Sequence, residues 1–144
     1  MSIGKLLNVS TPSSAVIALQ WDDGRFSQVD LSSLIASRPN LSILADPSEF
    51  DQAKLSDDGW SVEWPGGIDF GAQQLRRWAN EQSGETMTAA DFRAWVDRHG
   101  LTLDRAAEAL GLSRRTIAYY LSDEQPVPKT VMLATIGYDH RRAA

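Results

Sequence analysis

The chain contains no cysteine, which excludes disulfides, thiolate metal sites and a cysteine nucleophile outright. Histidine is nearly as scarce: His99 and His140 stand far apart, without the carboxylate spacing that would build a metal site. No apolar run approaches the length of a membrane span, and the opening "MSIGKLLNVSTPS" lacks the charged-then-apolar layout of a secretory signal. The expectation is a cytoplasmic protein. A Gly-rich phosphate loop is missing too, because "WPGGIDFG" has neither the full spacing nor a following βαβ unit; it is read as a tight turn before a helix. Nothing assembles an active site, so no enzyme activity, cofactor or metal is expected.

What is present fits a globular protein. The 144 residues are 42% hydrophobic and 23% charged, enough for one ordinary domain or two very small ones. The formal net charge of −5 argues against a generally sticky nucleic-acid binder, yet its distribution matters more than its sum. Through Ala90 there are six Lys and Arg against twelve Asp and Glu, and from Asp91 onward eight against seven. The basic residues are relatively concentrated in the second part.

The hydrophobic pattern changes character near residue 85. Before it the period is mainly two. Ala15, Ile17, Leu19 and Trp21 share one face of a strand, followed by the turn Asp22-Asp23-Gly24. Asp57-Asp58-Gly59 is a second turn, after which Trp60, Val62 and Trp64 alternate with Ser61 and Glu63. Paired aspartates can serve acid–base chemistry, but both pairs directly precede glycine between period-two runs, and turn chemistry accounts for them. Trp21, Trp60 and Trp64 could line an aromatic pocket; their strand faces point instead to core packing. "DLSSLIAS" is read as a short helix, and "AQQLRRWANEQ" places Ala72, Leu75, Trp78 and Ala79 at helical spacing to cover the sheet. The fold class is α+β. Residues 1–84 form a small antiparallel-sheet domain with a covering helix, and residues 85–144 an all-α bundle.

Helix ends in the second part are well signalled. Thr88 caps a helix carrying Phe92, Trp95 and Val96, with Met87 and Phe92 spaced as a hydrophobic staple and Gly100 as the stop. Thr102 caps "LDRAAEAL", which ends at Gly111; Ser113 caps "RRTIAYYL"; Pro128 precedes "KTVMLATI", which runs to Gly137. A helix-turn-helix needs a small residue in its first helix, a turn tolerant of a left-handed backbone, and apolar residues inside its second helix. Ala107, Gly111, and Leu110, Leu112 and Ile117 meet those needs, with Tyr120 half-burying its ring one turn on. The outward residues are then Ser113, Arg114, Arg115, Ala118, Tyr119 and Ser122, with Thr116 beside them. These are the expected contacts to double-stranded DNA. An arginine at such a helix start can donate two parallel hydrogen bonds to guanine O6 and N7, a contact worth roughly 1–3 kcal/mol of discrimination. Its neighbour one position on, about 100° round the helix, is better placed for a phosphate. A solvated helix face with local ion pairs could hold the same arginines, but the surrounding turn agrees with DNA contact.

On these residues, "LTLDRAAEALGLSRRTIAYYLS" above all, the stretch from about 88 to 138 resembles the lambda-repressor-like (Xre/Cro) helix-turn-helix family. The front part, with "WDDGRFSQVDLSSL" and "VEWPGGIDF", resembles a small bacterial domain family of unknown function. That family occurs alone or before such a helix-turn-helix, often near toxin–antitoxin genes. The two resemblances imply a DNA-binding transcriptional regulator, potentially an antitoxin-type autorepressor. Relatives of the helix-turn-helix family commonly carry glycine after the serine that ends the recognition helix, where this chain has Asp123-Glu124. Carboxylates there would weaken contact with a DNA backbone unless the loop turns away. A single small module binds weakly, so a homodimer on half-sites about one helical turn apart is expected. The front domain would dimerise the protein, bind a protein partner such as a toxin, or both. The alternative is a protein-interaction module that neutralises a partner without sequence-specific DNA binding.

Overall fold

The structure, a computed structural model, describes residues 4–143. The fold is α+β, and the chain divides into two compact units between Gln82 and Ser83. In the first unit, β1 (Leu6–Ser13), β2 (Val16–Trp21) and β3 (Phe26–Asp30) form one antiparallel sheet in that order. Then follow α1 (Ser32–Ser37), a 3-10 segment (Pro39–Ala45) and α2 (Pro47–Phe50). A second antiparallel sheet comprises β4 (Lys54–Leu55), β5 (Ser61–Trp64) and β6 (Ile68–Gly71), and α3 (Ala72–Ser83) succeeds it.

Period-two patterning implies one small antiparallel sheet, whereas the structure contains two three-stranded sheets. The strand that the pattern conceals is β1, where register shifts between Leu6 and Asn8 and between Ser10 and Ser13 break the alternation. Ala15, expected inside β2, lies in the β1–β2 turn at φ 60°. "IDFG" is a third strand of the second sheet, so "WPGG" turns a hairpin rather than leading into a helix. Trp60 is also displaced. Its N–H donates to the Asp58 carboxylate at 3.0 Å, which holds the turn one residue longer, and the indole stays 40% exposed. Trp21 and Trp64 are buried as expected.

The inward faces of both sheets meet α1, α2, the 3-10 segment and α3 in one core, with Ile17, Trp21, Val62 and Leu75 fully inside. Burying each such side chain contributes about 1.5–3 kcal/mol. Phe50, Trp64, Phe70 and Trp78 form a chain of rings with successive centroids 5.8, 5.7 and 5.3 Å apart. The Trp64 indole N–H donates to the Phe50 carbonyl at 2.8 Å, so its burial leaves that group satisfied. At the end of α3, the Gln82 side-chain amide donates to the Asp30 carbonyl (2.9 Å) and accepts from the Asp30 N–H (2.8 Å). One side chain thus takes the place that a neighbouring strand would have at that end of β3.

The second unit holds α4 (Ala89–Arg98), α5 (Leu103–Leu110), α6 (Arg114–Leu121) and α7 (Lys129–Ala143). Thr88, Thr102 and Ser113 each accept a hydrogen bond from the backbone N–H three residues on, at 3.0, 3.2 and 3.1 Å. Each such cap is worth about 1 kcal/mol. Phe92, Trp95, Ala106, Ile117, Tyr120 and Val131 close the core.

Helix α7 does not stop at Gly137. Beyond it, Tyr138 packs edge-on against Trp95 (5.3 Å) and His99 (5.0 Å). Asp139 accepts from the Trp95 indole (2.9 Å) and Arg98 (2.9 Å), and bonds His99 Nε2 at 2.6 Å. These contacts outweigh the roughly 1 kcal/mol that glycine costs inside a helix.

Candidate nucleic-acid interface

Helix α5 ends on Gly111 at φ 70°, a backbone conformation that costs glycine nothing. The Leu112 N–H returns to the Ala107 carbonyl at 2.9 Å and the Gly111 N–H to Glu108 at 3.4 Å, the paired bonds of a Schellman ending. The chain then swings into α6 within three residues. Ala106 and Ala107 are buried where the two helices approach, and Ile117 and Tyr120 face inward from α6. Tyr120, expected half-buried, is 6% exposed and packs edge-on against Phe92 at 5.6 Å; its burial raises the hydroxyl pKa.

Among the expected contact residues, Ser113, Arg114, Arg115 and Ser122 are exposed, and Thr116, Ala118 and Tyr119 are partly covered. Several are already engaged. The Ser113 hydroxyl lies 2.8 Å from the Thr116 hydroxyl as well as capping its N–H. Ser122 donates to the Tyr119 carbonyl at 3.3 Å. Arg115 Nε donates to the Tyr119 hydroxyl at 2.6 Å. The guanidinium of Arg114 stands 3.7 Å from the Asp104 carboxylate on α5.

Arg114 and Arg115 occupy the first turn of α6, which contains no acidic residue. Cations at that end oppose the helix dipole, at a cost of about 0.3–1 kcal/mol each. Folding alone would not select them. An anion arriving there would be favoured by the dipole and both guanidinium groups together.

Two neighbours of this face, Asp104 and Arg93, were not apparent in the sequence, and neither was the backbone geometry of Asp123. Asp104 reads only as an acidic first-turn residue of α5, and its approach to Arg114 depends on the turn. Arg93 of α4 donates to the Leu121 carbonyl, anchoring the far end of α6. Asp123 adopts φ 64°. The Glu124 N–H reaches the Tyr119 carbonyl at 3.0 Å and the Asp123 N–H reaches Tyr120 at 3.3 Å. The α6 ending therefore repeats the α5 ending, with aspartate in the glycine position.

Among the described residues, no cluster of His, Cys, Asp and Glu is spaced to hold a metal ion, and no helix is long and apolar enough to cross a membrane.

The profile of the family described as "Protein of unknown function (DUF2442)" matches residues 9–81, just over half of the chain. Among solved structures, the chain is similar to one presented as "Putative DNA Binding Protein NE0471" from Nitrosomonas europaea ATCC 19718. The two are 32% identical with a TM-score of 0.57, over 94% of this chain and 86% of that one. None of the curated proteins matches.

Proposed function

We propose that this chain, which belongs to the DUF2442 family, is a non-enzymatic, sequence-specific DNA-binding regulator of the antitoxin-type autorepressor kind. Helices α5 and α6 would form its lambda-repressor-like helix-turn-helix. Helix α6 would enter the major groove by its amino-terminal end. Helical order alone favours Arg114 for a guanine and Arg115 for a phosphate. The Arg115–Tyr119 bond and the Arg114–Asp104 pair support the reverse, Arg115 reading the guanine and Arg114 meeting the phosphate. The observation that carries this reading is the placement of two exposed arginines on a serine-capped helix start, straight after a left-handed turn. The DNA-binding designation of the Nitrosomonas europaea neighbour supports it. A homodimer would present two such helices to two half-sites, and the first unit would supply the contact.

The test is selection of binding sequences from a random duplex pool, followed by fluorescence anisotropy on the recovered DNA at several salt concentrations. Arg114→Ala/Arg115→Ala should abolish the preference over scrambled DNA and lower the salt slope by about 1 for the lost phosphate contact. Recovery of no preferred sequence, with weak binding unchanged in the double variant, would sink the reading. It would leave the second one: a module that neutralises a protein partner such as a toxin. One observation favours that alternative, namely the carboxylate of Asp104 beside Arg114, with Asp123 and Glu124 just past the far end of α6.

A further inference from the structure

The first sheet has an inner face in the core and an outer face in water. On the outer face, Asn8, Gln20 and Phe26 make one cross-strand row and Ser10, Ala18 and Gln28 the next. None of the six is charged, although the chain through Ala90 carries twice as many acidic as basic residues. Phe26 is 77% exposed, the most exposed large apolar side chain among the described residues. Diagonally across from it, the small Ala18 floors a shallow hollow of about 320 Å³. A protruding ring therefore sits beside a recess on the same neutral surface.

We infer that this face pairs with the same face of a second copy, Phe26 of each filling the hollow over Ala18 of the other. The inference names the surface of the dimer that the proposed function requires. A two-fold contact sets each residue of a patch against its own patch, so a charged patch would meet like charge while a neutral one does not. A two-fold axis crossing the strands sets one β3 antiparallel over the other. Arg25, just before the strand, then approaches the second copy's Asp30 at the strand's end. The lateral route is obstructed: Gln82 covers the Asp30 end of β3, and β1 carries two register shifts and Pro12. Two such sheets pack face to face about 10 Å apart.

Sedimentation equilibrium of the full chain tests this directly. The wild type should be a dimer. Phe26→Ala should raise its dissociation constant roughly 30-fold, as for a central anchor residue. Ala18→Glu, which blocks the hollow and sets like charges on the paired faces, should leave a monomer. Both should keep the wild-type circular dichroism spectrum, since neither position is in the core. Leu133→Glu/Ile136→Glu, on the exposed apolar positions of α7, should remain dimeric. A monomeric wild type, or a dimer broken by the α7 pair and untouched by Phe26→Ala, overturns the inference. A dimer that selects no DNA would refute the DNA reading alone, and a monomer that selects DNA would refute this surface alone.

Discussion

Arg115 Nε donates to the Tyr119 hydroxyl one turn along α6 at 2.6 Å, with the guanidinium carbon 5.3 Å from the ring centre. The bond occupies the inner nitrogen and does not involve the two terminal nitrogens of the fork. An arginine held this way loses less freedom on meeting a guanine than one that swings loose. In the proposed DNA complex Tyr119, expected among the outward contact residues of α6, would support the residue that reads the base.

Tyr119→Phe keeps the ring and removes the acceptor. Discrimination of the preferred base at one operator position should fall about fivefold, for a hydrogen bond worth about 1 kcal/mol. Binding to scrambled DNA should stay the same. Competition titrations with operators substituted at each position would show this, and a uniform loss across all sequences would contradict the supporting role.

Asp104 lies against Arg114 in an exposed pair, with side chains 74% and 64% accessible. Such a pair adds little stability, but its carboxylate would repel an approaching phosphate. Asp104→Asn should strengthen DNA binding a few-fold. It should also cost about 0.3–1 kcal/mol of stability, because the acid sits favourably in the first turn of α5. Anisotropy and denaturant melts on one preparation would record both, and unchanged or weaker DNA binding would refute the proposed approach.

Asp123 holds a left-handed conformation that glycine adopts freely. Asp123→Gly should leave the fold intact, stabilise the second unit by up to about 1 kcal/mol, and strengthen DNA binding by removing a negative charge beside α6. A drop in melting temperature would mean that the aspartate's own contacts outweigh its backbone cost.

Burial works to raise the pKa of Asp139, but hydrogen bonds from His99 and Trp95 and the charge of Arg98 outweigh it, so the carboxyl ends below its ordinary 3.8. A carboxyl depressed in the folded state stabilises it above the unfolded pKa. That contribution fades as pH falls through the lower folded value. The second unit should therefore lose stability below about pH 4, and Asp139→Asn should show a shallower loss. Thermal melts from about pH 2 to pH 6 would reveal the difference, and parallel curves would remove Asp139 from the account.

The second unit was the more legible in sequence because its signals are local. A capping hydroxyl acts on an N–H three residues away, as at Thr88, Thr102 and Ser113. Gly111 ends its helix through bonds that span only a few residues. The first unit depended on pairings between distant segments. In β1 the two shifts move side chains between faces, so no alternation marks the strand. Trp60 follows the rule for a strand residue but belongs to the turn that Asp58 prolongs. The continuation of α7 through Gly137 depends on Trp95 and His99, some forty residues earlier. Around the proposed interface, the outward residues of α6 could be read from helical spacing, whereas the partners of Arg114 and Leu121 come from other helices.

The amide of Gln82 bears on how large an assembly can grow. Both backbone groups of Asp30 are already spoken for, so a foreign strand arriving at that end of β3 finds no rung on which to start a ladder. Strand-by-strand addition, which propagates without limit, is frustrated where it would nucleate. Contact through the sheet face consumes that face in both copies and closes on itself. Association through the proposed face would therefore stop at a pair of chains and would not continue into a fibre.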